Sequence, residues 1–117
     1  MYLRFSKLSE GLRVSRLDGT YSKYLKQILK PDLLILDDWL LEPLGQKNLY
    51  YDILEIVEER HERKSLLLST QMPVANWHEL IGEPTVADAI LDRILGRSIK
   101  FEMKGDSLRK VKKMIEA

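Results

Sequence analysis

Two adjacent carboxylates, Asp37 and Asp38, follow an unbroken apolar run at 33–36. Such a run is typical of a strand with both faces covered in a parallel sheet. Because the carboxyl ends of parallel strands open into the ligand crevice, acids at that point face whatever binds there. Two acids at this point could serve nucleotide hydrolysis. Asp37 would hold Mg²⁺ through its hydration shell, and Asp38 would polarise the water that attacks the phosphate. The alternative is that both acids simply solvate a loop.

A second apolar run at 66–68 ends in three polar residues, Ser69, Thr70 and Gln71. This repetition predicts two buried strands that carry polar side chains at the same edge of one sheet. These polar side chains would lie at the ligand crevice, beside the two acids. The alternative is a strand that merely ends in polar residues.

The elements that must position these side chains alternate along the chain, which predicts an α/β fold. The predicted order is a strand at 2–6, helices ending at Gly19 and before Pro31, the strand at 33–36, a helix ending near His61, the strand at 66–68, helices over 74–80 and 85–95, a strand at 98–102 and a terminal helix.

Apolar spacing also predicts which side of each helix is buried. Helix positions expected on apolar faces are Leu8, Leu12, Val14, Leu17, Ile53, Ile56 and Val57. Asp52 and Arg60 are expected on the solvent side of their helix. Trp39 and Trp77 are expected to be packing anchors, and His78 a surface or half-buried residue.

Composition limits the class of protein. The 117 residues are 44% apolar and 32% charged, contain no cysteine and carry a net charge of +1. These values favour one globular domain and exclude disulfides and thiolate metal sites. No apolar run approaches the roughly 18 residues of a membrane span, and no leader is recognisable, so the cytoplasm is the expected location. The charge is uneven: residues 1–31 carry seven basic and two acidic residues, and residues 32–62 carry two basic and nine acidic ones.

Four segments in order, LLILDDW, LLLSTQMP, WHELIGEPTVADAILDRIL and FEMKGDSLRK, resemble the helper ATPases of insertion sequences, the IstB family. These are AAA+ proteins related to DnaC and DnaA. The resemblance covers nearly the whole chain and implies a P-loop NTPase fold, a three-layer sandwich with a mostly parallel sheet. It implies that Asp37 and Asp38 are the Walker B acids for Mg²⁺ and water activation, and that Gln71, with Thr70 beside it, senses the γ-phosphate of ATP.

The same resemblance implies roles for two arginines. Arg93 is similar to the finger that a subunit donates to its neighbour's nucleotide, where its charge stabilises the transferring phosphate. A surface ion pair is the competing interpretation. Arg109 is similar to the sensor 2 residue that contacts the nucleotide from the last helix, with helix capping or solubility as the alternative.

The glycine-rich phosphate loop of the family has no counterpart here. A P-loop holds the β and γ phosphates with Gly-x4-Gly-Lys-[Ser/Thr] at a helix start, and the 117 residues contain no such sequence. By resemblance, residues 1–117 form a partial AAA+ domain from the family's second strand to its C-terminal helix. The family's strand order is 5-1-4-3-2, so strand 1, which lies between strands 5 and 4, is missing. Either the last strand closes onto residues 66–69 or two chains exchange segments.

The resemblance implies a role in DNA transposition. The family assembles on double-stranded target DNA as an ATP-dependent homo-oligomer and assists a transposase. This chain alone is expected to bind ATP and Mg²⁺ weakly and to be inactive. Alternatives are a non-catalytic DNA- or protein-binding module and a helicase-loader relative of the DnaC type.

Overall fold

Three parallel strands form the centre of the protein, for which a computed structural model describes residues 1–45 and 47–96. The elements are β1 (Tyr2–Arg4), α1 (Phe5–Asp18), α2 (Tyr21–Leu29), β2 (Leu33–Asp37), α3 (Lys47–Arg60), β3 (Ser65–Leu68), a 3₁₀ turn (Val74–Asn76), α4 (Trp77–Ile81) and α5 (Pro84–Leu95). The predicted α/β fold is confirmed. The strand predicted at 98–102, the terminal helix and Arg109 lie outside the described residues.

The sheet has the order β1-β2-β3, and both pairings are parallel. This agrees with the neighbouring strands 2, 3 and 4 of the expected family order. In β2, Leu34 and Leu36 are fully buried, whereas Leu33 is 38% exposed. The prediction that both faces of this strand are covered therefore holds for one face within the described residues. The carboxyl ends of all three parallel strands lie on the same side of the sheet, where Asp37 ends β2.

The first strand is shorter than predicted. It ends at Arg4, and α1 begins at Phe5 rather than after Ser6. Phe5, Leu8 and Leu12 have helical spacing and are buried together, so burying Phe5 in this stripe starts the helix earlier.

The predicted apolar face of α1 was too wide. Val14 is exposed and Leu17 is 77% exposed. These side chains lie off the stripe that Leu8 and Leu12 form, so within the described residues they are not part of the core.

A helix, a break and a second helix follow β1, as the sequence predicts. Gly19 ends α1 with φ of 81° and donates its backbone N–H to the Ser15 carbonyl. Side chains rarely adopt this left-handed conformation, so glycine suits the turn. Gly11 allows α2 to pack closely, because a Cβ atom there would lie 2.1 Å from the Tyr24 hydroxyl oxygen.

Helix α3 packs against α1, α2 and α5. Ile53, Ile56 and Val57 are buried as predicted. The placement of Asp52 and Arg60 on the solvent side was wrong, since their exposed fractions are only 3% and 2%. Because α3 is contacted by helices on several sides, its buried surface is wider than one apolar stripe.

The two tryptophans anchor the core, as predicted. Trp39 is buried between Phe5 and Trp77, with ring centroids 5.0 and 6.2 Å away in edge-to-face arrangements. The Trp77 Nε1 donates to the Met72 carbonyl oxygen at 3.0 Å. These contacts join the start of α1, the segment after β2 and the start of α4.

The start of α5 differs from the predicted Thr85 pattern. Pro84 is its first residue, and the Glu83 side chain accepts the Val86 backbone N–H at 2.6 Å. Proline fits the first helical turn because it lacks an N–H that would otherwise need a partner.

None of the described helices has both the length and the apolarity to cross a bilayer.

Candidate functional site

Asp37 lies at the carboxyl end of the central strand and is 5% exposed. Its Oδ1 accepts the Asp38 backbone N–H at 3.0 Å. Its Oδ2 accepts the hydroxyl of Tyr2, which lies on the neighbouring strand β1. Each carboxylate oxygen is therefore held by a separate donor, which fixes the plane of the group.

Asp38 begins a tight turn directly after β2. Its φ is 58°, and its carbonyl accepts the Leu41 backbone N–H at 3.4 Å. Aspartate and asparagine enter this left-handed region more readily than most residues, because their short polar side chains can hydrogen-bond locally. The Asp38 side chain is half-buried and lines a cavity of about 640 Å³ between α1 and the segment that follows the turn.

Hydrogen bonds join the loops that follow β2 and β3. The Ser69 backbone N–H donates to the Leu36 carbonyl oxygen at 3.0 Å, and the Trp39 backbone N–H donates to the Ser69 carbonyl oxygen at 2.9 Å. The Thr70 hydroxyl donates to the Trp39 carbonyl at 2.7 Å and accepts the Met72 N–H at 3.0 Å. Thr70 therefore ties the two loops together, a contact that strand-end polarity does not reveal.

Gln71 follows Thr70 at the end of β3 and is exposed. Within residues 1–45 and 47–96 its side chain makes no hydrogen bond. The structure thus brings four residues to the carboxyl ends of the adjacent strands β2 and β3, namely Asp37, Asp38, Thr70 and Gln71. The Gln71 side chain is exposed, while the Thr70 hydroxyl is already used as donor and acceptor.

Arg93 lies on α5 and faces α3 instead. Its guanidinium group contacts Glu58 at 3.2 Å, the Ala89 carbonyl at 3.1 Å and Asp92 at 3.9 Å. The side chain is about one third exposed. The ion-pair interpretation therefore describes its contacts within this chain, and the role toward a neighbouring subunit stays a prediction.

A charged cluster that the sequence did not reveal joins α1, α2 and α3. Arg16 makes a bidentate pair with buried Asp52, and its Cζ lies 4.1 Å from the ring centroid of Tyr21. The Tyr21 hydroxyl contacts Asp52 at 3.1 Å and Glu55 at 2.9 Å. Partial burial, with these acidic partners, raises the pKa of Tyr21, and the hydrogen bond to Asp52 raises that of Arg16.

Arg60 is the second buried charge that the sequence missed. Its guanidinium group donates to the carbonyls of Ile28 and Leu29 at the end of α2, at 3.2 and 3.4 Å. It also donates to Ser65 at 2.7 Å, at the start of β3. Burial lowers the pKa of Arg60. The only local signal was a basic residue in the last turn of α3, which is common in exposed helices as well.

His78 is exposed, as predicted, and its Nε2 lies 3.0 Å from an Asp88 carboxylate oxygen. Asp88 lies on the next helix, so the pair joins α4 and α5 rather than forming part of the strand-edge site.

Oxygen donors suit magnesium, which usually takes one or two carboxylates and keeps several waters. Asp37 and Asp38 provide two adjacent carboxylates at the strand edge. Across the described residues there is no cluster of three or more histidine, cysteine, aspartate or glutamate side chains arranged to hold a metal. The two acids correspond to the one or two carboxylates that magnesium usually takes.

The model of the IstB-like ATP binding protein family matches residues 1–116. The chain belongs to this family. It is 44% identical to the putative insertion sequence ATP-binding protein y4pL of Sinorhizobium fredii (strain NBRC 101917 / NGR234) over 94% of this chain and 44% of that protein.

Other relatives of the IstB-like family have the same partial coverage. The protein y4uH of the same strain is 41% identical over 99% of this chain and 46% of its own length. The IS21 putative ATP-binding protein of Pseudomonas aeruginosa is 28% identical over 93% of this chain and 41% of its own length. The chain thus spans less than half the length of these relatives.

Proposed function

We propose that this chain supplies the magnesium-binding and phosphate-sensing part of an ATP site in an insertion-sequence helper ATPase. The observation that supports this most directly is the pair Asp37 and Asp38 at the carboxyl end of the central parallel strand. Relatives that are named insertion sequence ATP-binding proteins support the same assignment. The intact protein assists a transposase by ATP-dependent assembly on DNA.

In this proposal each residue at the carboxyl ends of β2 and β3 has one role. Asp37 accepts hydrogen bonds from the waters around Mg²⁺, as a carboxylate at the end of a parallel strand can. Asp38 orients and polarises the attacking water, and Gln71 contacts the γ-phosphate. When bound, Mg²⁺ supplies neutralisation of the charge on the β and γ phosphates.

Thr70 acts in this site by position. Its hydroxyl spans the loops after β2 and β3, so it keeps Gln71 and the two acids in a fixed relative arrangement. We therefore propose that Thr70 positions these side chains relative to one another and that Gln71 contacts the ligand.

Arg93 serves a second subunit in the proposed assembly. It must exchange its contact with Glu58 for the nucleotide of a neighbour. Since both partners of this ion pair are partly exposed, the pair contributes at most about 1 kcal/mol, and a phosphate group competes with it readily.

The 117-residue sequence has no Gly-x4-Gly-Lys-[Ser/Thr] turn. Backbone N–H groups and a lysine in such a turn supply most of the contacts to the phosphates. We therefore expect the chain alone to bind ATP weakly, and hydrolysis to require a phosphate loop from additional sequence.

The proposal is tested by joining this chain to an upstream segment that carries a Gly-x4-Gly-Lys-[Ser/Thr] phosphate loop. The chimera is expected to hydrolyse ATP with Mg²⁺. Asp38→Asn should lower kcat by roughly 100-fold or more, because the attacking water loses its base. Asp88→Asn, the same change on an exposed aspartate of α5, is the control and should leave kcat unchanged.

The opposite result is equally clear. A chimera that binds ATP, hydrolyses it and retains its kcat after Asp38→Asn would contradict the assignment of the strand-edge acids.

A second candidate function is DNA binding without catalysis, which the exposed lysines of α2 favour. Lys23 and Lys26 are exposed and have no ion-pair partner within the described residues. Titration of double-stranded DNA with the chain alone, at several salt concentrations, tests this. Binding that weakens with salt, and that Lys23→Gln with Lys26→Gln weakens further, supports the binding module. Absence of binding at low salt would contradict it.

A further inference from the structure

We propose that Tyr2 is a positioning residue for Asp37. The inference rests on the proposed role of Asp37 toward Mg²⁺. The Tyr2 hydroxyl donates to the Asp37 Oδ2 atom across two adjacent strands. Neither the apolar run before Asp37 nor the family resemblance draws attention to this tyrosine.

The strand register explains why Tyr2 reaches the carboxylate. Tyr2 is paired with Ile35, two residues before Asp37. Residues two apart on a strand point to the same face, and the strand rises about 3.3 Å per residue. The phenol ring spans this offset of two residues, so that its hydroxyl arrives at the carboxylate from β1.

The contact restricts rotation about the last bond of the Asp37 side chain, which sets the plane of the carboxylate. The terminal torsion of a carboxylate is broad and has no sharp preferred angle. In Asp37 one oxygen accepts the Asp38 N–H and the other accepts the Tyr2 hydroxyl. Removing the hydroxyl takes away the contact that holds Oδ2, and the direction in which this oxygen meets metal-bound waters is then less strictly fixed.

The hydroxyl can be removed with little change to the fold. Tyr2 is 46% exposed, so Tyr2→Phe retains the ring and its modest burial. Tyr51 is a matched control, because it is 47% exposed and its ring contacts Tyr50 on α3 rather than the strand edge.

The test uses Mn²⁺ alone as a paramagnetic stand-in for Mg²⁺, added to the ¹⁵N-labelled 117-residue chain. Broadening of the Asp38 amide signal reports an ion near the strand edge, even at low occupancy. Tyr2→Phe is expected to raise the Mn²⁺ concentration for half-maximal broadening roughly three- to tenfold, the loss typical of one intramolecular hydrogen bond. Tyr51→Phe should match the parent protein.

Asp37→Asn separates this inference from the proposed function. It should abolish the broadening, because the carboxylate that would hold the metal-bound waters is lost. If Asp37→Asn abolishes broadening while Tyr2→Phe responds like the parent, Tyr2 has no positioning role and the role of Asp37 stands. If Asp37→Asn responds like the parent, the magnesium role fails and the inference fails with it.

Urea unfolding of each variant accompanies the titration. A Tyr2→Phe protein with parent-like unfolding and a weakened Mn²⁺ response supports positioning. A Mn²⁺ response that weakens only in proportion to the unfolded fraction overturns it, because the tyrosine then acts on the fold alone.

Discussion

At the residue scale, the charges of greatest structural consequence are those the sequence pattern assigns to the surface. Asp52 and Arg60 are both buried in α3, and each has partners more than 30 residues away in the sequence. Their partners, Arg16 and the carbonyl of Ile28, become neighbours only when α1 and α2 fold back onto α3. Helical periodicity alone therefore has no means of distinguishing these two residues from the exposed charges beside them.

Arg60→Met should destabilise the protein by roughly 2–4 kcal/mol, because the end of α2 and the start of β3 lose a buried donor that they share. Methionine retains much of the side-chain volume, so the loss reports the hydrogen bonds rather than a cavity. The free energy of unfolding in urea measures it. Arg63→Met, at an arginine that is 73% exposed, should change stability by less than about 0.5 kcal/mol. Equal effects at the two positions would contradict the role of Arg60.

Ser69 and Thr70 provide an adjacent pair with opposite expectations. The Ser69 side chain is buried and its Oγ has no partner among the described residues, so Ser69→Ala should leave stability unchanged or raise it slightly. Thr70→Val removes the hydroxyl that links the loops after β2 and β3 and should cost about 1–2 kcal/mol. Thermal unfolding of both variants checks this, and a larger loss for Ser69→Ala would reverse the assignment.

At the element scale, the sequence predicts the order of strands and helices because each element carries its own period and stop signal. The apolar runs of β2 and β3 and the turn at Gly19 are local features, and the structure confirms them. The end of β1 at Arg4 depends instead on Phe5 joining the stripe with Leu8. Contacts between elements decide such boundaries, so they are less predictable than the elements themselves.

The cluster of Arg16, Tyr21 and Asp52 joins α1, α2 and α3. We expect its contribution to stability to depend on pH. Burial raises the pKa of Tyr21 above its unfolded value near 10, so folding favours the neutral phenol. Its contribution to stability is complete below about pH 10 and decreases as the pH rises toward its higher folded pKa.

Tyr21→Phe should therefore lose about 1 kcal/mol at pH 7, where the hydrogen bonds to Asp52 and Glu55 are intact. Above about pH 10 the difference from the parent protein should shrink. Urea unfolding at both pH values measures this, with Tyr51→Phe as the control. A difference that is the same at both pH values would show that the Tyr21 hydroxyl does not titrate with folding.

At the scale of the whole molecule, the sheet is incompletely enclosed by the described residues. β3 pairs with β2, and within residues 1–45 and 47–96 its other edge has no strand partner. Leu33 is exposed, while Ile35 and Leu67 are only partly buried on the face of the sheet opposite Leu34. The strand order agrees with a P-loop domain.

We expect the chain to self-associate as its concentration rises, because a sheet edge with no strand partner in residues 1–45 and 47–96, together with a partly apolar face, favours pairing with a second copy. Size-exclusion chromatography with light scattering should give a mass above that of the monomer. Leu67→Lys, which places a charge on the edge strand, should shift the population toward monomer. A monomeric mass at all concentrations would indicate that this edge is covered within one chain.

The left-handed backbone at Asp38 also determines how its chemistry can be isolated. Alanine at this position lacks a side chain that stabilises a φ of 58°, so its effect would combine strain in the turn with loss of the carboxylate. Asparagine adopts the same conformation readily and removes only the charge. Glycine removes the side chain while leaving the turn relaxed. Comparing these two replacements separates the contribution of the negative charge from that of a polar side chain, with the turn itself held constant.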